Sequence, residues 1–154
     1  MQQPFELVVA AHKTVAVLGL IGRVEDMHAI LDTETDATLR FLGEWFERQG
    51  GRRGKAQHRT HTSGLLWART RHATSRAGDP APHDHVLIAN LTEMLDDCGG
   101  WKALDTAGIR DLLHAATMVG RLAAADKSVQ LGYAIEPDHR PSGRLDHLRI
   151  AVVP

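Results

Sequence analysis

The hydrophobic positions along the chain switch between helix-like and strand-like spacing. Over residues 24–48 the apolar side chains recur at every third or fourth position with acidic residues between them, which predicts an amphipathic helix that stops at Gly50-Gly51. The same spacing predicts a short helix over residues 13–21 and a long one over about residues 106–131. Thr106 stands where an N-terminal cap is expected, because its hydroxyl can accept a bond from a backbone N–H of the first turn.

Short apolar and β-branched runs outside these helices predict strands. They cover residues 5–10, 62–72, 83–91, 133–135 and 148–152. A turn rich in glycine and proline separates the second run from the third, and that arrangement predicts an antiparallel hairpin. Because hairpins and helices are mixed without strict strand–helix–strand alternation, the predicted fold class is α+β.

The composition limits the classes of protein that fit the chain. At 154 residues, a single domain over residues 1–154 is expected. One cysteine excludes a disulfide framework and a cysteine-rich zinc cluster. With 18 basic and 19 acidic residues, contacts to nucleic acid have to come from local patches. The longest apolar run, over residues 15–21, is too short to span a bilayer, and no basic secretory-signal segment opens the chain, so a cytoplasmic protein with no membrane partner is expected.

Three histidines around the predicted hairpin carry the most specific chemistry. His83 and His85 stand two apart at the start of a strand, so their rings share one face and Asp84 points to the other. His72 ends the preceding strand, and the hairpin sets it across from the pair. Three converging imidazoles predict a catalytic type of metal site, for which zinc, nickel, copper, cobalt and manganese all remain open. The alternative, surface histidines without an ion, also remains open at this point.

The sequence that starts at His72 continues with Thr74-Ser75-Arg76, Asp79-Pro80 and His83-Asp84-His85, and then with the apolar residues 86–89 and Asn90. This run resembles the three-histidine motif of MobF-type conjugative relaxases, which belong to the HUH endonuclease superfamily. Residues 4–17 are similar to the early strand of that family, with Glu6 at its acidic position and Lys13 at its lysine. Residues 100–104 and 131–133 match two further motifs, so the resemblance covers nearly the whole chain.

The resemblance implies a central antiparallel β-sheet flanked by helices. It implies that His72, His83 and His85 hold a divalent ion that polarises a scissile phosphate of single-stranded DNA, and that Glu6 is the catalytic acidic partner of these histidines. Four further residues are candidates for substrate binding, although Ser75 and Arg76 can equally brace the hairpin and His12 can equally be a loop residue. The candidates are His12, Lys13, Ser75 and Arg76.

Basic and aromatic side chains are the candidates for DNA contacts outside that motif. Arg69 and Arg71 lie on the strand face opposite His72, so they flank the site at most. Of the three tryptophans, which can stack on bases, Trp45 is expected in the core and Trp67 against a helix. The remaining basic residues of this region form either a DNA-binding patch or a solvated surface: Arg52, Arg53, Lys55, Arg59 and Arg76.

The sequence departs from the family pattern at the nucleophile. In the family a tyrosine upstream of the early strand attacks the phosphorus, and this chain opens almost at that strand. The only tyrosine of the chain, Tyr133, matches a structural position of the family. We therefore expect no covalent protein–DNA adduct from this chain alone.

The resemblance and its departures leave three functions open. The leading interpretation is a relaxase-like protein that binds a metal and binds or acts on single-stranded DNA phosphodiesters, with any nucleophile supplied elsewhere. The alternative is a metalloenzyme repurposed from the relaxase scaffold, in which the ion or its bound water acts on a phosphate or a small molecule. The third is an inactive fragment kept as an interaction module. The metal, the substrate and the oligomeric state do not follow from the sequence.

Overall fold

The computed structural model describes residues 3–49, 51–53, 58–95, 99–107, 109–139, 141–142 and 145–151, and these form an α+β fold. The helices are α1 (Lys13–Leu20), α2 (Val24–Gln49) and α3 (Ile109–Gln130). The strands are β1 (Phe5–Ala10), β2 (Gly51–Arg53), β3 (His58–Thr60), β4 (Trp67–Thr74), β5 (Pro80–Ile88), β6 (Thr92–Glu93), β7 (Trp101–Lys102), β8 (Ile135–His139) and β9 (Leu145–Ile150).

The central sheet has the order β1-β5-β4, with both pairs antiparallel. Side chains of β5 alternate between a buried inner face, which carries Val86 and Ile88, and an outer face, which carries Leu87. The inner face packs on α2 and α3, which supply Leu42, Phe46, Leu112 and further apolar residues to the same core cluster. The outer face is open to solvent, since Val8 and Leu87 are both exposed. The inner face of the sheet therefore belongs to the hydrophobic core, and the outer face is accessible to a ligand.

The predicted helices are all present, but several boundaries differ from the prediction. The strand predicted over residues 62–72 is β4 and begins only at Trp67, because Thr62 pairs with Met94 and Gly64 has a φ of 86°. The strand predicted over residues 83–91 is β5, which begins at Pro80 and ends at Ile88. Both ends of β5 are set by its pairing with β1 and β4, which the spacing of residues in the sequence does not reveal.

Helix α3 begins at Ile109, three residues after the predicted cap Thr106. The side chain of Asp105 accepts the backbone N–H of Ala107, and the carbonyl of Thr106 accepts the N–H of Ile109, so a capping role of the Thr106 hydroxyl stays a prediction. Within the described residues, none of the helices combines the length and apolar character needed to cross a bilayer.

Gly120 lets α3 approach α2 closely. A Cβ atom there would lie 2.8 Å from the carbonyl oxygen of Glu34 and in overlap with the Oγ1 atom of Thr38, which is itself bonded to that carbonyl. We expect Gly120→Ala to lower the free energy of unfolding by about 2 kcal/mol, since the steric cost exceeds the better helix propensity of alanine. Urea denaturation at 25 °C measures this change.

The matched control is Gly43→Ala in α2, where an added Cβ meets nothing within 4 Å. That substitution is expected to raise stability by up to about 1 kcal/mol, because only the propensity difference remains. Equal effects of the two substitutions would contradict the close α2–α3 contact at Gly120.

Candidate metal centre

The three histidines of the motif converge on the outer face of the central sheet. His72 in β4 lies directly opposite His83 in β5, and His85 follows two residues later on the same face. The ring centroid of His72 lies 5.3 Å from that of His83 and 4.7 Å from that of His85. One nitrogen of each ring lies within 4.8 Å of the others. The predicted hairpin therefore assembles a group of imidazoles that can hold one metal ion.

The hydrogen bonds of two of these rings assign their protons. The Nδ1 atom of His83 lies 2.6 Å from the carbonyl oxygen of Ala81, which can only accept, so Nδ1 carries the proton. The Nδ1 atom of His85 lies 2.7 Å from Oε1 of Glu6 and donates to that carboxylate in the same way. A ring protonated only at Nδ1 has its lone pair on Nε2. The two Nε2 atoms are 3.1 Å apart.

Two lone pairs that face each other at this distance repel unless a proton or a metal ion lies between the nitrogens. Two nitrogens bound to one ion at about 2.1 Å, with an angle between tetrahedral and octahedral values, lie roughly 3.0–3.4 Å apart. The observed 3.1 Å between Nε2 of His83 and Nε2 of His85 falls in that range. The three-nitrogen donor set suits divalent transition ions, and the exposed position of His72 leaves room for further ligands on the solvent side.

Glu6 stands beside the histidines on the same face of the sheet. It belongs to β1, and its carboxylate accepts from His85 while remaining 55% exposed. A carboxylate in this position fixes the ring orientation and makes the opposite nitrogen a better ligand. The structure thus gives Glu6 a contact with a candidate ligand, and its predicted catalytic role stays a prediction.

Among the described residues, the four predicted substrate-binding residues make no hydrogen bond or ion pair with the three histidines. Ser75 closes the β4–β5 turn, where its Oγ accepts backbone N–H groups of Ala77 and Asp79. His12 accepts the N–H of Thr14 at the start of α1, and its Nε2 lies 3.2 Å from Asp138. Lys13 and Arg76 are both exposed. Turn closure and helix capping therefore occupy the polar atoms of Ser75 and His12, while Lys13 and Arg76 remain candidates.

A network of ion pairs lies on the inner face of the sheet, opposite the histidines. The spacing of residues in the sequence does not predict it. Asp84, between the two histidines of β5, is fully buried on the inner face and bonds to Arg71 and Thr35. Burial by itself raises the pKa of Asp84, but the hydrogen bonds from Arg71 and Thr35 and the charges of Arg71 and Arg69 hold its pKa below the usual range. Once His72 is known to face His83, the pairing of Arg71 with Asp84 follows from strand register.

The same network decides the role of two candidate DNA contacts. Arg69 binds Asp32 and Asp36 of α2, each at 3.1 Å. Arg71 binds Asp32 and Asp84, each at 2.7 Å. These arginines are paired on the inner face, in agreement with the prediction that they flank the site at most. The side chains of Arg52, Arg53, Lys55 and Arg59 lie outside the described part of the chain.

Two tryptophans line an open hollow next to the histidines. Trp45 packs edge-on against the core residue Phe46, as predicted. Trp67 is the first residue of β4 and is 43% exposed, and its predicted packing against a helix stays a prediction. Together with Trp101, Leu87 and further residues it lines a hollow of about 700 Å³.

Tyr133 has a structural position, in agreement with the sequence prediction. Its hydroxyl donates to Asp26 at 2.6 Å, and its ring packs against the second core cluster, which includes Leu18 and Ile30. The hydrogen bond to Asp26, with some burial, raises the pKa of the Tyr133 hydroxyl. The raised pKa disfavours the phenolate form of Tyr133, and its ring is held in a core cluster rather than at the histidines.

Comparisons with known proteins agree with this architecture. The family profile of TrwC relaxases matches residues 2–153. A metal-bound complex of the conjugative relaxase TrwC with oriT DNA has a TM-score of 0.76 and 24% identity, over 97% of this chain and 49% of that one. A copper-bound complex of TrwC with oriT DNA has a TM-score of 0.74 and 25% identity, over 94% and 48%. TrwC with a 27-mer DNA of the recognition hairpin and cleavage site has a TM-score of 0.73 and 23% identity, over 96% and 50%.

The similarity confirms the predicted α+β relaxase-like fold. The chain spans about half the length of the solved relaxases that it matches. A search of curated proteins gave no significant match. The metal and the DNA named for the solved complexes belong to those proteins.

Proposed function

Because this chain belongs to the TrwC relaxase family, we propose that its three histidines hold a divalent transition ion and that the outer sheet face binds single-stranded DNA, with one phosphate at the ion. The observation that carries the proposal is the pair of Nε2 atoms of His83 and His85, which lie 3.1 Å apart on rings whose Nδ1 atoms are bonded elsewhere. His72 adds a third nitrogen across the hairpin.

Some residues of the site would bind the ion, and others orient the rings that bind it. His72, His83 and His85 supply neutral nitrogen ligands from two adjacent strands, which is a rigid support. The Ala81 carbonyl and the Glu6 carboxylate hold the rings of His83 and His85 with Nε2 directed at the site. When bound, a divalent ion supplies Lewis-acid polarisation of a phosphate oxygen.

The outer face beyond the histidines favours a nucleic-acid strand. Leu87 follows His85 by two residues on the same face, and it lines the hollow together with Trp101, so this hollow begins roughly 7 Å along the strand from the histidines. Trp101 is 57% exposed, and Lys102 follows it. An exposed indole beside a cation offers a stacking surface for a base and a partner for its phosphate. The DNA complexes of the solved relatives favour the same class of ligand.

The same observations bear on two open questions, which group attacks the phosphate and whether the substrate is a small molecule. We assign no strand-cleaving role to Tyr133, because its ring packs against the core cluster of Leu18 and Ile30 and its hydroxyl is bonded to Asp26, whereas the histidines lie on the outer face of the sheet. The proposal is therefore metal-dependent binding of a DNA phosphodiester, with any attacking group supplied from outside residues 1–154. A small-molecule substrate gains no support from the comparisons, since the solved relatives reported above are complexes with DNA.

Trp101→Ala tests the DNA surface. We expect it to weaken binding of a fluorescent single-stranded oligonucleotide, in the presence of Mn²⁺, by about tenfold, because loss of one base–aromatic stack costs roughly 1–3 kcal/mol. Fluorescence anisotropy at two salt concentrations measures the affinity and separates stacking from phosphate contacts.

Leu122→Ala is the matched control, because Leu122 is an equally exposed apolar residue on α3. Its affinity for the oligonucleotide should equal that of the wild type. If Trp101→Ala and Leu122→Ala bind alike, the hollow is not a DNA surface, and if the wild type binds no single strand at all, the proposed DNA function is wrong.

A further inference from the structure

The residues next to the histidines pair with one another on the opposite face of the sheet. Arg71 precedes His72 in β4, and Asp84 lies between His83 and His85 in β5. The register that sets His72 opposite His83 also sets Arg71 opposite Asp84. Since side chains alternate along a strand, this ion pair lies on the inner face, between the level of His72 and His83 and the level of His85.

The ion pair has the geometry of a strong cross-strand link. The guanidinium of Arg71 donates from Nε to Oδ1 of Asp84 at 2.7 Å and from its second terminal nitrogen to Oδ2 at 2.8 Å. Such bidentate arginine–carboxylate pairs restrict both the distance and the angle between the groups they join. Asp84 is 0% exposed, so the pair is protected from water on the side of β5.

Helix α2 holds this pair from below. His28 accepts from Arg71 at 2.9 Å, Asp32 accepts from Arg71 at 2.7 Å, and Thr35 donates to Asp84 at 2.7 Å. These three positions are four and three residues apart, which places them along one stripe of the helix. The β4–β5 pair is therefore fastened to a 26-residue helix at the level of the histidines.

The Arg71–Asp84 pair lies close to the point where the regular pairing of β4 with β5 ends. Regular pairing of β4 with β5 runs from Trp67 to His72, and the register shifts between His72 and Thr74. His72 is thus the last residue before an irregularity, where the local twist of a strand increases. The Arg71–Asp84 pair is one step inside that point.

We propose that the Arg71–Asp84 ion pair is a positioning device that holds His72 at the correct distance from His83 and His85, and so sets the affinity of the three histidines for a divalent ion. The inference rests on the proposed metal function. His83 and His85 share one strand and keep their spacing without help, whereas His72 reaches them only through the alignment of β4 with β5. The ion pair acts on that alignment.

The test compares Zn²⁺ dissociation constants of purified variants by competition with a chromophoric chelator, well below their melting temperatures. Arg71→Gln and Asp84→Asn should each weaken Zn²⁺ binding by about 10- to 100-fold, the range found when groups that orient metal ligands are lost. A long-range charge effect predicts opposite signs, because removal of a cation strengthens and removal of an anion weakens the binding of Zn²⁺. Weakening by both variants is the mark of positioning.

A second comparison isolates the strand alignment. In a His72→Ala background, Arg71→Gln should cause no further loss of Zn²⁺ affinity, because His83 and His85 do not depend on β4. Arg71→Lys keeps the charge but not the bidentate geometry, and it should lose about tenfold, which covers the case in which Arg71→Gln fails to fold. Glu136→Gln is the matched control: it removes the carboxylate charge from the cross-strand Arg149–Glu136 pair of β8 and β9 and should leave the Zn²⁺ affinity unchanged.

The outcomes separate the two proposals. Wild-type Zn²⁺ affinity in both Arg71→Gln and Arg71→Lys, or an equal loss with and without His72, overturns the positioning role and leaves the metal site intact. A wild-type protein that binds no Zn²⁺ removes the proposed metal function and this inference together.

Discussion

Replacement of His83 by alanine is expected to weaken Zn²⁺ binding by more than about a hundredfold. Loss of a group that only orients a metal ligand costs 10- to 100-fold, and His83 is itself a candidate ligand whose Nε2 lies 3.1 Å from that of His85. His85→Ala should have a similar effect, because it removes the other nitrogen of the pair. Competition with a chromophoric chelator gives the dissociation constants, and metal analysis of the purified proteins checks them.

The control for this experiment is His114→Ala. His114 is exposed on α3, which packs on α2 at the inner side of the sheet, and its loss should leave Zn²⁺ affinity unchanged.

The Zn²⁺ affinity of Glu6→Gln should fall between those of His83→Ala and His114→Ala, with a loss of about tenfold, because an amide oxygen still accepts from His85 but carries no charge. Equal metal content in the wild type, His83→Ala and His85→Ala would contradict a site formed by these histidines.

The candidate metal site was predictable because its geometry is local. His83 and His85 share a face by strand alternation alone, and the short turn after His72 brings the third ring across. The resemblance to relaxases added Glu6, which lies 79 positions before the histidine that it contacts. No spacing rule connects residues that far apart, so only a family pattern identifies such a pair.

The support beneath the site was not predictable, because it depends on packing between elements. Arg71 and Asp84 were assigned to the face away from the histidines, but their bonds to His28, Asp32 and Thr35 require the position of α2. Periodicity identifies the faces of each element, whereas the contacts between faces need the three-dimensional arrangement.

Stability should fall by about 3 kcal/mol between pH 4.5 and pH 8 because of Glu34 alone. This carboxyl group is 4% exposed between α2 and α3, and burial, opposed by the charge of Arg121 and assisted by that of Asp84, raises its pKa from 4.5 to about 7. Folding therefore favours the protonated group, so its contribution is complete below pH 4.5 and is lost as the pH rises through 7. A shift of this size corresponds to about 3 kcal/mol.

Glu34→Gln removes this titration and tests the assignment. At pH 8 the variant should be more stable than the wild type by up to about 3 kcal/mol, and at pH 4.5 the two should be nearly equal, because the wild-type group is then also neutral. Urea denaturation at the two pH values measures the difference, with Glu44→Gln on the exposed side of α2 as the control that should keep the wild-type profile. The lowered pKa of Asp84 acts only at lower pH, where protonation of that carboxylate removes stability, so it does not disturb this window. If wild type and Glu34→Gln lose stability equally between pH 4.5 and pH 8, Glu34 does not titrate in that range, and the α2–α3 contact accommodates its charge.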